Sequence, residues 1–382
     1  MNLGKMTLIA TSAMGIEAIV AKEVRDLGYE CTVENGKVIF EADEKAICRS
    51  NLWLRTADRV KIKIGEFKAT SFDELFEKTK ALNWGEFLPE NAEFPVIGKS
   101  VKSQLFSVSD CQSIVKKAVV ENLKKHYKKQ TNWLEESGPF FRIEIALLKD
   151  VATLTIDASG SGLHKRGYRV GQGEAPIKET LAATLIKLTN WTPDRPFVDP
   201  FCGSGTIPIE AALIGQNIAP GFNRGFASEE WDWIGKSIWD EARQEVEDLA
   251  KYDQPLDIMG LDIDHRMIQV SKDNAEEAGF AELLSFKQMQ VSDFTTNKDY
   301  GVLIGNPPYG ERLGEKKAVE LMYKEMGKAF SKLDTWSVYM LTSNENFENI
   351  YGKPATKKRK LFNGFIKTDF YQYFGPRPPR DN

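Results

Sequence analysis

The spacing of apolar residues along the chain changes near residue 175. Before that point, stretches in which every second residue is apolar, a pattern typical of half-buried strands, are separated by amphipathic helices. After it, short unbroken apolar runs alternate with helices. Unbroken runs are typical of strands buried on both faces, so the second half of the chain predicts a parallel sheet covered by helices.

The first half predicts two small α+β units in succession. The first unit has the ferredoxin-like order strand, helix, hairpin, helix, strand (6–13, 15–27, 29–42, 44–57 and 60–67). Its hairpin turns at Asn35-Gly36, which is a strong hairpin signal. The second unit combines a helix, a short strand, a long helix with Asp110 as the expected N-cap, and a strand pair (72–82, 94–98, 110–129, 141–148 and 151–156).

Lysines are concentrated in the second of these units. Eight lysines and only two acidic residues lie between positions 99 and 129, in a chain whose net charge is −4. This local surplus favours a surface that follows RNA phosphates, and the candidate contacts are Lys99, Lys102, Lys116 and Lys117. A solvated lysine face on a helix explains the same pattern equally well.

Residues 158–175 are rich in Gly and Ser and predict a linker between the two halves. The end of this linker is basic and adds Lys165, Arg166 and Arg169 as candidate RNA contacts beside an active site. An ordinary charged linker is the alternative interpretation.

The second half predicts five strands and four helices before a final hairpin at Asn363-Gly364. The strands are expected at 197–199, 258–261, 284–286, 302–304 and 336–342, and the helices at 176–189, 206–214, 265–278 and 318–333. Residues 215–256 are longer than an ordinary connection and contain three tryptophans. They predict a helical insertion that either covers the site or packs beside it.

Composition excludes several classes of protein. At 382 residues, 42% of them apolar, the chain is long enough for two or three globular domains, and no apolar stretch reaches membrane-spanning length. The four cysteines are scattered and the three histidines are isolated, which predicts neither a disulfide framework nor a metal site. Free cysteines and an N-terminus without an apolar signal core favour a cytoplasmic protein with no membrane partner.

A stiff turn, Asn306 to Tyr309, follows the strand predicted at 302–304. Pro307 and Pro308 supply no N–H and end the strand. The turn offers the Asn306 side-chain oxygen and the Pro307 carbonyl as acceptors, and the Tyr309 ring as a stacking surface. These groups suit a planar aromatic amine, because two acceptors can hold its N–H groups while its lone pair attacks an electrophilic methyl group. A Pro-Pro surface turn capped by Asn is the alternative.

A second turn, at residues 199–206, joins the first strand of this half to a helix. Gly203 and Gly205 allow the backbone to approach a ligand closely, but their spacing fits neither a dinucleotide fingerprint nor a P-loop. Asp262 ends the next strand and suits ribose hydroxyls, and Asp293 is placed to receive an adenine amine. A ligand with an amino-acid end, a ribose and an adenine but no pyrophosphate is S-adenosylmethionine.

These motifs resemble the class I S-adenosylmethionine-dependent methyltransferases that act on amino groups. Residues 163–169, 175–179 and 308–312 further resemble the RlmL group, the THUMP-domain-containing bacterial methyltransferases of guanine N2 in 23S ribosomal RNA. The resemblance covers nearly the whole chain. It is specific in the second half, and in the first half it rests mainly on domain order. With one methyltransferase domain, the chain resembles a stand-alone form.

The resemblance implies a domain order and a set of site residues. The order is a ferredoxin-like domain (1–65), a THUMP RNA-binding domain (66–157), a linker (158–175) and a Rossmann-like methyltransferase domain with a mostly parallel seven-stranded sheet (176–382). The implied catalytic residues are Asn306, Pro307, Pro308 and Tyr309. The implied cofactor contacts are Lys178, Glu179, Thr180, Asp199, Pro200, Phe201, Cys202, Gly203, Ser204, Gly205, Thr206, Asp262, Ile263, Asp293 and Asn306.

The resemblance also implies a reaction and a partner. The reaction is methyl transfer to the exocyclic amine of a guanine, and the expected partner is ribosomal RNA in a precursor of the 50S subunit. Guanine in tRNA, adenine in DNA and glutamine in a protein are alternative acceptors. A ribosome-assembly factor without activity is a further alternative, for which damaged motifs would be expected.

Overall fold

The computed structural model describes residues 4–130, 134–173, 176–309 and 316–379. These residues form two compact units, each built from segments that are not contiguous in sequence. The first unit contains the described residues of Met1–Ser12, Val20–Leu163 and Arg224–Glu245, and the second those of Ala13–Ile19, His164–Asn223 and Val246–Asn382. Every helix in this part of the chain is too short or too polar to cross a membrane.

The first unit is built on a seven-stranded sheet. Its strands are β1 (Met6–Thr11), β2 (Cys31–Glu34), β3 (Lys37–Ala42), β4 (Arg59–Lys68), β5 (Val96–Val101), β6 (Arg142–Leu148) and β7 (Val151–Asp157). They lie in the order β2-β3-β1-β4-β7-β6-β5, and β5 and β6 form the parallel pair. The ferredoxin-like order is present in β1 to β4, but β4 also pairs with β7, so the two predicted units share one sheet.

The described residues of this half form five α-helices: α1 (Glu17–Asp26), α2 (Glu44–Trp53), α3 (Phe72–Lys80), α4 (Trp84–Phe87) and α5 (Val108–His126). The long helix α5 begins two residues earlier than expected, and its N-cap is Ser107. Asp110 therefore lies in the first turn, where a carboxylate is favoured by the partial positive charge of the helix N-terminus.

Residues 224–245 of the tryptophan-rich insertion pack within the first unit. The ring of Trp231 stacks on Phe141, just before β6, with centroids 4.6 Å apart and ring planes 9° apart. The indole Nε1 of Trp231 donates to the carbonyl of Phe140 at 3.1 Å. Ser228, three residues earlier, donates through its hydroxyl to the carbonyl of Ala158. These contacts fix this segment beside the start of β6 and the end of β7.

The second unit also contains a seven-stranded sheet. Its strands are β8 (Phe197–Asp199), β9 (Ile258–Asp262), β10 (Leu284–Gln288), β11 (Val302–Gly305), β12 (Ser337–Thr342), β13 (Lys357–Asn363) and β14 (Ile366–Tyr373). Their order is β10-β9-β8-β11-β12-β14-β13; the first five are parallel, and β14 runs antiparallel to both of its neighbours. The predicted Rossmann-like, mostly parallel sheet is confirmed.

The remaining helices are α6 (Glu179–Lys187), α7 (Thr206–Gly215), α8 (Lys236–Leu249), α9 (His265–Glu277), α10 (Lys316–Phe330) and α11 (Phe347–Tyr351). Apolar clusters cover both faces of the second sheet. Val302 and Ile304 of β11 point into one cluster and Leu303 into the other, as the alternation of side chains along a strand requires. Burial on both faces explains why β11 reads as an unbroken apolar run.

The C-terminal hairpin turns one residue later than expected. β13 extends to Asn363, which pairs with Ile366, so Gly364 and Phe365 are the two turn residues. The φ of Gly364 is +63°, a conformation that glycine adopts without strain. Leu361 and Thr368, opposite each other on the two strands, are both buried, and this inward-facing pair fixes the register.

Candidate active site

The strand order of the second unit reverses between β8 and β11. Ligands of open α/β sheets bind at such a reversal, beyond the carboxyl ends of the strands. A cavity of about 920 Å³ lies there. It is lined by Pro176, Ile177, Asp199, Pro200, Phe201, Cys202, Gly203, Ser204, Thr206, Ile207, Asp262, Ile263, Met289, Gln290, Val291, Ser292, Asn306, Pro307, Pro308, Tyr309, Met322, Glu325, Asn363 and Ile366.

The glycine-rich turn, residues 199–206, follows β8 and has the backbone conformation that its glycines predict. Gly203 has a φ of +51°, and no atom lies within 4 Å of the position that a Cβ would take there. Gly205 has a φ of +82° and is the N-cap of α7. A Cβ on Gly205 would approach the Cβ of Ser271 to 3.0 Å. Gly203 therefore leaves space at the cavity wall, whereas Gly205 lets α7 pack closely on α9.

Two carboxylates are held at this turn by backbone N–H groups. Asp262 accepts from the amide of Gly203 at 3.0 Å through Oδ2 and from that of Asp264 at 2.9 Å through Oδ1. Asp199 accepts from the amide of Phe201 at 2.9 Å. Burial raises the pKa of Asp199 well above its ordinary value, against the lowering effect of the Phe201 N–H, and the nearby charge of Asp262 raises it further. Asp262 is partly exposed, whereas Asp199 is buried.

The acceptor turn, Asn306 to Tyr309, follows β11 and is stabilised by side-chain hydrogen bonds among the described residues. The Tyr309 hydroxyl donates to Asn306 Oδ1 at 2.7 Å, and Asn363 Nδ2 donates to the Tyr309 hydroxyl at 3.2 Å. Tyr323 donates to the Pro308 carbonyl at 2.8 Å. Among the described residues, no donor bonds to the carbonyl of Pro307. The turn therefore presents two acceptors, the Pro307 carbonyl and Asn306 Oδ1, and the second of these already accepts from the Tyr309 hydroxyl.

The two turns lie against each other. Gly305, the last residue of β11, comes directly before Asn306, and a Cβ on it would stand 2.9 Å from Met340 Sδ and 3.1 Å from the ring of Phe201. A larger residue at position 305 would force Met340 and the ring of Phe201 to shift, so the glycine favours this close approach of the two turns. The structure thus brings both predicted halves of the site together in one cavity.

Two arginines expected to contact RNA form ion pairs within the protein instead. The guanidinium of Arg166 is buried and bonds to both carboxylate oxygens of Glu210, each at 3.2 Å, so it cannot reach RNA. Arg169 bonds to Glu179 at 2.8 Å and to the hydroxyls of Ser204 and Thr206, each at 3.0 Å. Arg169 thereby braces the glycine-rich turn. Lys165 is exposed, and its RNA contact stays a prediction.

Five expected cofactor contacts do not line the cavity: Lys178, Glu179, Thr180, Gly205 and Asp293. Glu179 is buried under Arg169, and Asp293 is an exposed residue whose carboxylate accepts from the Ser292 hydroxyl. Pro176 and Ile177, just before α6, line the cavity in place of Lys178 to Thr180. Residues Met289 to Ser292, which follow β10, line it in place of Asp293.

Several cavity residues had no sequence signal of their own. Met322 and Glu325 come from α10, and Asn363 and Ile366 come from the C-terminal hairpin. The Asn-Gly pair at the hairpin marked a turn, but nothing local indicated that this turn reaches the acceptor site. Ala175 and residues 310–312, which contributed to the resemblance, lie outside the described residues.

The expected lysine surface is partly neutralised by carboxylates from other segments. Lys99 lies 3.0 Å from Glu144, and Lys116 lies 2.6 Å from Glu136. Lys116 also stands over the ring of Phe94. Lys102 and Lys117 are exposed. The positive charge of this surface is therefore smaller than the count between positions 99 and 129 predicts.

The fold and the site define a class of protein. A Rossmann-like sheet with a glycine-rich turn, a carboxylate at the end of the second strand and an Asn-Pro-Pro-Tyr turn after the fourth is an arrangement that suits a methyltransferase. Three family models match the chain: the RMKL-like methyltransferase domain over residues 166–372, the RlmL ferredoxin-like domain over 7–61 and the THUMP domain over 69–157. The chain belongs to this family of methyltransferases.

Known proteins resemble the chain over nearly its whole length. A Bacillus subtilis (strain 168) protein named Putative RNA methyltransferase YpsC is 73% identical over 98% of both chains. A solved structure from Listeria monocytogenes str. 4b F2365, described as a predicted N6-adenine-specific DNA methylase, is 62% identical, with a TM-score of 0.94 over 98% of this chain and 97% of that one.

A third relative carries a ligand. The crystal structure of SMU.472 contains S-adenosylhomocysteine; it is 52% identical, with a TM-score of 0.94 over 98% of this chain and 100% of that one. S-Adenosylhomocysteine is what S-adenosylmethionine becomes after methyl transfer. The relative therefore confirms S-adenosylmethionine as the cofactor predicted for this family.

Proposed function

We propose that the protein transfers a methyl group to the exocyclic amine of a guanine in 23S ribosomal RNA, within a precursor of the 50S subunit. The observation that carries this proposal is the meeting of the glycine-rich turn and the Asn306–Tyr309 turn in one cavity. A cofactor half and an amine-acceptor half then share a single space, as a direct transfer between two bound molecules needs.

The cofactor half fits S-adenosylmethionine. The cavity offers a glycine with open space above it, a partly exposed carboxylate at Asp262, and apolar side chains at Met289 and Val291 that suit an adenine. We assign residues 199–204, Thr206, Asp262 and Ile263 to this half, and Gly205 to the turn that supports it. When bound, S-adenosylmethionine supplies an electrophilic methyl group.

In the acceptor half, Asn306 and the Pro307 carbonyl hold the two N–H groups of the target amine. The Tyr309 hydroxyl donates to Asn306 Oδ1 and occupies one of the two lone pairs of that oxygen, so it competes there with the amine. Tyr309 then stacks on the base. A guanine paired within a helix cannot bring its amine to this turn, so the target base must be unpaired or extruded.

The choice of RNA rests on the first half of the chain. Matches to the RlmL ferredoxin-like and THUMP models favour ribosomal RNA, and the relative named YpsC is named as an RNA methyltransferase. Lys99, Lys102, Lys116, Lys117 and Lys165 remain the proposed RNA contacts. Adenine in DNA is the second candidate, because the Listeria relative is described as a DNA methylase and the acceptor turn suits either amine.

We keep the domain boundaries at 1–65, 66–157, 158–175 and 176–382 as part of this proposal. A cytoplasmic location is likewise proposed, from the scattered cysteines alone.

The test is methyl transfer from labelled S-adenosylmethionine to three substrates: ribosomal RNA and tRNA from a strain that lacks the gene, and unmethylated genomic DNA. We expect N2-methylguanosine in 23S RNA. The Asn306→Ala enzyme should still bind the cofactor through residues 199–204 and Asp262, but should lose at least a hundredfold in single-turnover rate at saturating cofactor, because positioning supplies much of the acceleration. Methylation of adenine in DNA, with none in RNA, would replace the proposal by the second candidate.

A further inference from the structure

The tip of the C-terminal hairpin presents an aromatic ring to solvent. Phe365 is completely exposed, more so than any other large apolar side chain in the described chain. The turn geometry requires Gly364, which has positive φ, but it places no demand on the residue after it. A phenylalanine at this position therefore makes no evident contribution to the fold.

The hairpin tip borders the cavity. β13 runs in the same direction as β11 and β12, because both β12 and β13 are antiparallel to β14. Its carboxyl end therefore lies at the ligand-binding edge of the sheet. Asn363 and Ile366, on either side of the turn, line the cavity, and Asn363 donates to the Tyr309 hydroxyl at 3.2 Å. Phe365 thus stands at the rim of the acceptor site.

The strand that leads to this tip is basic. Residues 353–360 contain four lysines and one arginine and no acid. Lys357 and Lys360 are exposed, and no carboxylate of the described residues lies within salt-bridge distance of either. Lysines on an edge strand also discourage pairing with other chains, and that explanation is sufficient for the lysines alone. It does not explain Phe365, since an exposed aromatic ring on an edge hairpin promotes association.

We propose that the hairpin is a contact surface for the RNA strand that carries the target, with Phe365 stacking on a base next to the extruded one. This inference rests on the proposed function and deepens it. Extrusion removes one base from the stack, and an aromatic ring at the rim can cover the exposed face of its neighbour. Lys357 and Lys360 contact the phosphates of the same strand as it leaves the site.

The first experiment measures methyl transfer to 23S RNA from the gene-deletion strain. Phe365→Ala should raise the KM for RNA roughly tenfold or more, the usual effect of losing one base–aromatic stack, while the affinity for S-adenosylmethionine stays at the wild-type value. Phe365→Trp should retain wild-type KM, because the indole also stacks. The matched control is Phe374→Ala, since Phe374 is half-exposed on the same hairpin but lies beyond the far end of β14.

The results distinguish this inference from the proposed function. Wild-type KM in Phe365→Ala, with wild-type enzyme active on RNA, would overturn the stacking role and leave the proposed function intact. An equal rise in KM for Phe365→Ala and Phe374→Ala would also overturn it. Wild-type enzyme without activity on any RNA would remove the proposed function and this inference with it.

The second experiment measures binding of the same RNA at several salt concentrations. The double variant Lys357→Gln/Lys360→Gln should make the negative slope of log K against log salt shallower by about 1.4, since each lost phosphate contact on a single strand contributes about 0.7 to its magnitude. An unchanged slope would show that these lysines only protect the strand edge.

Discussion

The Tyr309 hydroxyl and the amine of the substrate compete for the same acceptor, Asn306 Oδ1. Tyr309→Phe removes the competitor but keeps the ring. We therefore expect Tyr309→Phe to methylate RNA at least as fast as wild type in single turnover. Tyr309→Ala removes the ring as well and should weaken RNA use roughly tenfold or more, through the lost stacking.

Cofactor affinity, measured by calorimetry, should be nearly unchanged in both Tyr309 variants. If Tyr309→Phe were as impaired as Tyr309→Ala, the hydroxyl rather than the ring would be the important group, and the stacking assignment would be wrong.

Asp262 and Asp264 are neighbouring acids with different expected effects on the cofactor. Asp262 lines the cavity, whereas Asp264 caps α9 and pairs with Arg266 at 2.8 Å. Asp262→Ala should weaken S-adenosylmethionine binding by about 1.5–3 kcal/mol, the value of hydrogen bonds to a charged group. Asp264→Ala should lower the midpoint of thermal unfolding slightly through the lost cap and leave cofactor binding unchanged. Equal affinities of the two variants in a titration would remove Asp262 from the site.

Residue-level prediction from the sequence succeeded for some kinds of position and failed for others. Asp262 and Asn306 end strands, so their location at the edge of the sheet follows from the apolar runs before them. Arg166 and Arg169 come from a basic segment, and their partners, Glu210, Glu179 and Ser204, lie 10 to 44 positions further along the chain. Charge along the sequence does not reveal which cations are buried in pairs, because pairing depends on tertiary packing.

At the scale of elements, residues 164–173 of the segment expected as a linker belong to the second unit and are fixed there. Arg166 bonds to Glu210 of α7, and the Tyr168 hydroxyl donates to the same carboxylate at 3.1 Å. Burial raises the pKa of Tyr168 well above its ordinary value, so its hydroxyl remains a donor at any physiological pH. Arg169 then ties the end of the segment to the glycine-rich turn.

The buried ion pair gives a stability prediction. Arg166→Met should destabilise the protein by about 3–5 kcal/mol, because it leaves Glu210 buried without its cation. Arg166→Met/Glu210→Gln should recover part of this loss, since the neutral amide still accepts from Tyr168. The midpoint of thermal unfolding measures both effects. A wild-type midpoint for Arg166→Met, together with weaker RNA binding, would restore Arg166 to the RNA-contact residues.

The positions of strands and turns along the sequence were easier to predict than the pairing of strands with each other. The hairpin at Asn35-Gly36 and strand β8 have the predicted positions, because turn chemistry and short apolar runs are local signals. The pairing of β4 with β7 joins segments about 90 residues apart, and no local signal specifies it. The turn at Gly364-Phe365 shows a smaller discrepancy: the Asn-Gly pair indicated a hairpin, but burial of Leu361 and Thr368 decided its register.

At the scale of the whole molecule, the compact units do not follow the domain order of the sequence. Residues 224–245 lie within the methyltransferase sequence and pack in the first unit, and residues 13–19 belong to the second. A cut at residue 175 therefore separates Trp231 from Phe141. We expect fragments 1–175 and 176–382 to be poorly soluble when expressed apart and to copurify when expressed together.

Copurification by affinity chromatography checks this expectation. Trp231→Ala in the second fragment should weaken the association, whereas Trp231→Phe, which keeps a stacking ring, should preserve most of it. Two fragments that are each monodisperse and do not associate would contradict the packing of residues 224–245 in the first unit and of residues 13–19 in the second.

The position of Trp231 in the sequence also determines when, during synthesis, the first unit can complete its packing. A ribosome adds residues at about 5–20 per second, so Trp231 is made roughly 4–15 s after β7, some 70 residues earlier, is complete. Throughout that interval the nascent first unit has Phe141 but no indole to cover it, and the exposed ring is a surface for chaperones or for wrong contacts. A polypeptide released early, before residue 224, would keep that surface permanently. The first unit can therefore complete its packing only after the glycine-rich turn, at residues 199–206, has been synthesised.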